Sequence, residues 1–279
     1  MQVGKANFPG IGLKFSRTKA ELYYYISFLV WPFGVMLASL QTREYPWSKN
    51  IFWLFCFFFG YTFIIQSDSL VTADSVAYAE ALYRYAYSDL SFRELWQTFY
   101  SESTNYIDIL QPIITYLVSR VTSNPSVLFA VFGLIFGYFY SRNLWFVIDR
   151  VKGEITLPLF IFLLTLGLIN PIWNINGIRM WTAAQIFVFG ALPYLVDGDK
   201  KKLIWAGVSI LMHFSFIFPV CILLAFLVIR DRTNIFMILF ILTSFIKELD
   251  LEMVRSSLSF LPDIFQHRIN SYTGADYAE

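Results

Sequence analysis

Charge is scarce in this chain. Charged residues make up 15% of it and hydrophobic residues 57%, with aromatics at 20% and thirty phenylalanines. An ordinary soluble domain carries ~25% charged residues, so the shortage excludes a solvated globular surface over most of the length. There is no basic excess either. The net charge is +1, no basic face or tail stands out, and nothing marks a nucleic-acid partner. Histidine and cysteine are nearly missing, with two of each. Cys56 and Cys221 both lie inside apolar runs, which favours packing over a disulfide or a thiolate metal site. HExxH, GxSxG and Walker A patterns are lacking, and Asp68 and Asp74 are too far apart for a DxD element. No metal and no cofactor is therefore expected. Met1–Ala20 lacks the apolar core of a cleavable signal.

What is present is a series of apolar runs approaching the ~20 residues that cross a bilayer. Spans are expected at Leu22–Leu40 (interrupted by Pro32), Ile51–Gln66, Val127–Ile148, Ile155–Trp173, Ile178–Val196, Leu203–Ile229 and Ile235–Phe245. Pro158, Pro193 and Pro219 are expected to kink their helices. Ile109–Val121 is too short for a comfortable crossing and reads as a re-entrant or interfacial helix. The fold class is thus an all-α, polytopic membrane helix bundle of about seven spans, forming a single domain over residues 1–279. Met1–Glu21 is polar and basic, and the chain turns polar again from Lys247.

One substantial polar segment interrupts the apolar pattern. Ser67–Asp108 is acidic and rich in tyrosine, with short amphipathic helices expected at Ala79–Tyr87 and Phe92–Phe99; loops of this length are usually functional. Sidedness stays open. The basic loops at Arg43 and Lys49, Arg150 and Lys152, and Lys200–Lys202 read as cytoplasmic, which puts the acidic loop and the Asn176-Gly177-Ile178-Arg179 turn together outside if Ile109–Val121 does not span. The basic N-terminus argues for the alternative, in which Ile109–Val121 spans and the acidic loop lies inside.

The candidate site centres on Asn170–Phe216. Arg179 follows Asn174, Asn176 and Gly177 where a polar turn enters an apolar helix, and free N–H groups and the helix dipole favour an anion there. A guanidinium adds a planar fork suited to phosphate. The plainer reading of Arg179 is an interfacial anchor. Arg179 is four residues from Ala183, which with Ala184 and Gly190 marks a close-packing face, so its side chain should point toward protein. His213 reads either as a hydrogen-bonded packing residue or as chemistry. Counted from Leu203 it lies ~15 Å into its helix, over ~10 Å in depth from Arg179 unless a kink or cavity intervenes. Ser215 has a supporting role at most. Asp74 and Tyr78, four apart, can share a helix face. Tyr85 and Trp96 offer ring surfaces for sugars, and Arg84 and Arg93 either serve an anion or pair with Glu80 and Glu94.

In order and spacing, Ala73-to-Tyr85 (ADSVAYAEALYRY), Asp108-to-Val121 (DILQPIITYLVSRV), Asn176-to-Leu195 (NGIRMWTAAQIFVFGALPYL) and His213-to-Phe216 (HFSF) resemble the EpsG family, relatives of the Wzy-type O-antigen polymerases. The likeness runs from about Leu22 to Tyr272. It implies a multi-pass protein of the bacterial inner membrane that joins repeat units carried on polyprenyl diphosphate, in exopolysaccharide, capsule or O-antigen synthesis. A transporter or flippase of lipid-linked sugars, or a non-catalytic export scaffold, is the alternative. Implied partners are a polyprenyl-diphosphate-linked oligosaccharide, membrane lipids, and chain-length regulator and flippase proteins. Carried over by position, the family's aspartate–tyrosine pair falls on Asp74 and Tyr78, its arginine on Arg179 and its histidine on His213. A Glu-Pro pair common in the family is Gln111-Pro112 here. Gln111 cannot be a base, and Asp108, three residues earlier, is a substitute. With the residue-level readings above, the candidate catalytic set is Asp74, Asp108 and His213, and the candidate substrate-binding set is Arg179, Tyr78, Arg84, Asn176 and Gln111. The family also continues with further spans, which implies a chain truncated at its C-terminus.

Overall fold

Apolar composition and the placement of prolines break this chain into helices of very unequal length. The computed structural model describes residues 6–7, 14–15, 17–65, 74–99, 108–151, 153, 156–230 and 232–244. Both ends of the acidic loop, with Asp68 and Glu102, the Lys152 position, most of the N-terminal segment and the polar stretch from Lys247 lie outside the described residues. A two-residue antiparallel ladder pairs Ala6 with Phe15 and Asn7 with Lys14. All other regular structure described is helical.

The first expected span is two helices, α1 (Arg17–Val30) and α2 (Pro32–Gln41). They part at Trp31, whose φ of −142° is extended, because Pro32 disfavours helical geometry in the residue before it. Next come α3 (Ser48–Tyr61), α4 (Asp74–Ala86) and α5 (Phe92–Thr98). Ser91 and Glu94 close a capping box at the start of α5. The short helix α6 (Leu110–Ser119) has 10 residues, a length of ~15 Å, half of a bilayer core. Asn124 caps α7 (Pro125–Ile148).

The later part differs more from the sequence reading. Ile155–Trp173 gives only α8 (Leu157–Ile169), followed by a 3-10 turn at Ile172–Gly177 that leads directly into α9 (Ile178–Asp197). α9 ends on Gly198, whose φ of 72° is left-handed, a conformation glycine adopts without steric cost. Leu203–Ile229 is not one span. It is α10 (Leu203–Met212), an extended His213, a 3-10 turn at Phe214–Phe216 and α11 (Ile217–Ile229). α12 covers Thr233–Ser244. Pro158 and Pro219 sit in the first turns of α8 and α11 rather than kinking them, whereas Pro193 lies inside α9. A proline at the start of a helix costs little because its missing N–H would be unpaired anyway.

Among the described residues two stretches are apolar and long enough, by length and composition, to cross a membrane, Pro125–Ile148 and Leu157–Asp197. The other apolar helices are shorter. Phe129, Phe132 and Phe136 of α7 form the fully buried centre. α3 lies against α7 almost backbone to backbone: a Cβ on Gly60 would strike the Phe129 carbonyl, and one on Gly133 the Cys56 carbonyl. Small residues allow such an approach, and close packing supplies the attraction. Gly190 of α9 meets the backbone of α10 at Ala206 in the same manner. Cys56 is buried in the α3–α7 seam and Cys221 is exposed; both are free thiols. The outer faces keep large side chains bare, with Leu29, Val30 and Val228 each more than 80% exposed.

Candidate functional site

Segments far apart in the chain meet at one side chain. Arg179 is the second residue of α9, and its guanidinium donates in three directions. Nε reaches the Tyr78 hydroxyl at 3.0 Å, Nη1 reaches Asp108 Oδ2 at 3.2 Å, and Nη2 reaches Asp74 Oδ2 at 3.4 Å. A guanidinium has five N–H bonds, so two remain unused among the described residues. The α4 side of the site follows from helix periodicity: Asp74 and Tyr78 are one turn apart, and the Tyr78 hydroxyl donates to Asp74 Oδ2 at 3.0 Å. The Tyr78 ring is held edge-on against Phe132 of α7. Burial pushes its phenol well above the ordinary value, with Asp74 adding to the rise and Arg179 opposing it. It therefore remains a neutral donor.

Asp108, just ahead of α6, is 4% exposed, and a buried carboxylate is tolerated only when its lone pairs are met. Three elements meet them. Oδ1 accepts the Phe214 N–H at 2.7 Å, while Oδ2 lies 3.0 Å from His213 Nδ1 and takes the Arg179 bond. Burial alone would raise the Asp108 pKa. The His213 hydrogen bond and charge, the Phe214 N–H and the Arg179 charge outweigh it, holding the carboxyl below its ordinary range. A backbone bond from Ile109 N–H to the Leu211 carbonyl, at 3.0 Å, ties the same loop to the end of α10. Asn176, in the 3-10 turn, accepts the Ser75 N–H at 3.2 Å and so fastens the start of α4 beside the start of α9.

His213 and Arg179 are thus not separated in depth as the sequence reading expects. Both place a nitrogen within 3.2 Å of Asp108 Oδ2. The reason is the break in the apolar run. α10 stops at Met212, and His213 takes up extended backbone (φ −153°, ψ 119°), which turns the Phe214 N–H onto Asp108 Oδ1. His213 Nε2 makes no hydrogen bond among the described residues. Arg179 and Ala183 both face protein: Ala183 is fully buried and the Arg179 side chain is 27% exposed.

The structure gathers Asp74, Tyr78, Asp108, Asn176, Arg179 and His213. It does not bring Arg84 or Gln111 to them. Arg84 lies ten residues along α4 from Asp74, ~15 Å at the helical rise, with its guanidinium near the Tyr85 ring. Gln111 is buried and donates from Nε2 to Thr115 Oγ1 on its own helix at 2.9 Å. Tyr85 is buried against Tyr116, while Trp96 stays partly open beside Phe92 and Arg93. The feature sequence reasoning misses is the Phe214 N–H. Its only sequence signal is a polar His-Phe-Ser interruption in an otherwise apolar run. Among the described residues no group of three or more His, Cys, Asp or Glu is arranged to hold a metal ion; the centre of this cluster is occupied by a cation of the protein's own.

The first residue of α4, the second of α9, the residue two before α6 and the first residue of the 3-10 turn at Phe214 meet at this site. Helix N-termini carry partial positive charge, which favours the two carboxylates, Asp74 and Asp108, that already face Arg179 here. Asp74 is the looser of the two: it is 48% exposed and makes the longest of the three contacts, whereas the Asp108 side chain is 6% exposed. The sequence model of the EpsG family matches residues 50–279, a stretch that includes every residue of the cluster. No curated protein and no solved structure matches the chain.

Proposed function

This chain belongs to the EpsG family, and we propose that it polymerises polysaccharide repeat units carried on polyprenyl diphosphate, as a multi-pass protein of the bacterial inner membrane. The bare apolar faces of α1, α2, α8 and α11 support a lipid surrounding, since water-facing patches of that extent are rare in soluble monomers. The observation that carries the activity is the shared hold of Arg179 and His213 on Asp108.

In this reading a hydroxyl oxygen of the acceptor sugar attacks the anomeric carbon of the donor. The bond from that carbon to the diphosphate oxygen breaks, and polyprenyl diphosphate leaves with the electron pair. Arg179 takes the departing charge, presenting its two unused N–H bonds and exchanging Asp74 for phosphate oxygen. His213 accepts the hydroxyl proton at Nε2. Asp108 is a positioning residue: with both oxygens committed to protein donors it fixes the Nδ1–H tautomer of His213 and stabilises the imidazolium that forms. A single displacement inverts the anomeric configuration. The leaving group supplies most of the activation, so orientation and charge stabilisation suffice.

Purified protein given a defined lipid-linked repeat unit in detergent tests the proposal. Lengthened glycan with released polyprenyl diphosphate is the expected result. Protein that moves the lipid-linked sugar between liposome leaflets without lengthening it overturns the proposal in favour of transport.

A further inference from the structure

α8 is an unusual wall. None of its residues is fully buried, and the Tyr140 hydroxyl reaches across from α7 to the Gly167 carbonyl to hold it. Beneath it lies a cleft of about 550 Å³ between α2, α3, α7 and α8. Met36, Phe55, Leu144, Leu164 and Leu168 form its sides. Its two ends differ. Arg43 and Glu44 line it where the Arg43 carbonyl meets Trp145 near the end of α7; beyond Gly167, held at Tyr140, it is lined by Pro171, Ile172 and Trp173, the opening of the 3-10 turn that leads to Arg179. Six residues separate Trp173 from Arg179, at most ~12 Å at the 3-10 rise. From Phe160 to Leu168 the cleft runs ~12 Å along α8.

A narrow apolar cleft that ends beside an anion site fits a linear hydrocarbon with a phosphorylated end. We propose that this cleft holds the isoprenoid tail of the lipid-linked substrate while its diphosphate lies at Arg179, and that α8 is the wall that yields to admit the tail from the bilayer. The proposal rests on the polymerase reading for the identity of the chain. The occupant is assigned to the substrate rather than to bulk acyl chains because the cleft leads to the site along continuous backbone. Its loosely packed wall has the few buried contacts expected of a segment that opens locally.

The test uses full-length protein in phosphatidylcholine nanodiscs with a diazirine-tagged long-chain polyprenyl monophosphate. Photolabelling is expected on peptides containing Leu164 and Leu168. Leu164→Trp, which fills open cleft space, should lower it about tenfold, the change corresponding to about 1.4 kcal/mol of lost tail contact. Phe162→Trp, outside the cleft lining, should leave it unchanged. Leu168→Phe serves if the first variant does not fold. Labelling spread over α11 and α12, or untouched by both cleft variants, overturns the proposal. So does equal labelling by a tagged phosphatidylcholine that excess polyprenyl phosphate fails to displace. Cleft labelling without any glycan lengthening would uphold the tail site and sink the polymerase reading; lengthening with labelling elsewhere would do the reverse.

Discussion

Asp108 accepts the Phe214 N–H through one oxygen and faces His213 Nδ1 through the other, so one carboxylate fixes both the ring of His213 and the backbone turn that carries it. The residue that holds the His213 ring also holds open the helix break that carries that ring to the site.

Arg179→Ala is expected to reduce glycan lengthening by about 10²–10³-fold, the usual scale for losing a charge-stabilising donor. Arg179→Lys should be impaired nearly as much, because an ammonium cannot serve Tyr78, Asp108 and Asp74 from one rigid fork. Rates measured with a fixed lipid-linked substrate decide; near-normal lengthening by Arg179→Ala would remove Arg179 from the mechanism.

Tyr78→Phe deletes a hydroxyl that receives Arg179 Nε and donates to Asp74. Leaving the half-buried guanidinium N–H unmet costs at most about 1 kcal/mol, the low end for an unsatisfied donor, read as a slightly lowered unfolding midpoint, and freedom gained by Asp74 should raise KM more than it lowers kcat. An unchanged midpoint and unchanged KM would mean that water replaces the hydroxyl at no cost.

The pH dependence has a definite sign. Asp108 is held below its ordinary pKa in the folded protein, so its contribution to stability is fully present above the unfolded value of ~3.9. That contribution fades as pH falls from there through the lower folded value. Thermal midpoints of the wild type should therefore drop on acidification through this window. Asp108→Asn, stable enough to purify but weaker at neutral pH, should show a shallower drop. Parallel curves would assign the acid sensitivity to other carboxylates.

Gly133→Val should prevent folding or cost more than about 4 kcal/mol, the range reserved for severe core damage. Its Cβ would meet the Cys56 carbonyl, and backbone cannot move aside as a flexible side chain can. Expression and gel filtration beside Gly207→Val, where a Cβ meets nothing within 4 Å, provide the comparison.

The sequence makes parts of this arrangement legible and hides others. The one-turn spacings of Asp74 with Tyr78, and of Arg179 with Ala183, are local geometry, and local geometry survives into the structure. Helix lengths survive less well. Pro32 and Pro158 are visible in the sequence, but whether a proline kinks a helix or begins one depends on a single residue of register. The break at His213 is hidden because its cause is distant. Met212 and Phe214 favour neither continuation nor termination; the carboxylate of Asp108, arriving from a different segment, rewards the open N–H. For the same reason a count of helical rise from Leu203 separates His213 from Arg179, although the chain folds them onto one oxygen.

The long sequence separations within the site also set a clock. Asp74 and Ser75 lie more than 100 residues ahead of their partners Arg179 and Asn176, and Asp108 more than 100 ahead of Phe214. At about 5–20 residues per second, a ribosome needs roughly 5–20 s between making the two halves. Over that interval Asp74 and Asp108 lack the arginine that receives them in the folded chain. The site closes only after the segment ending at Phe214 has emerged.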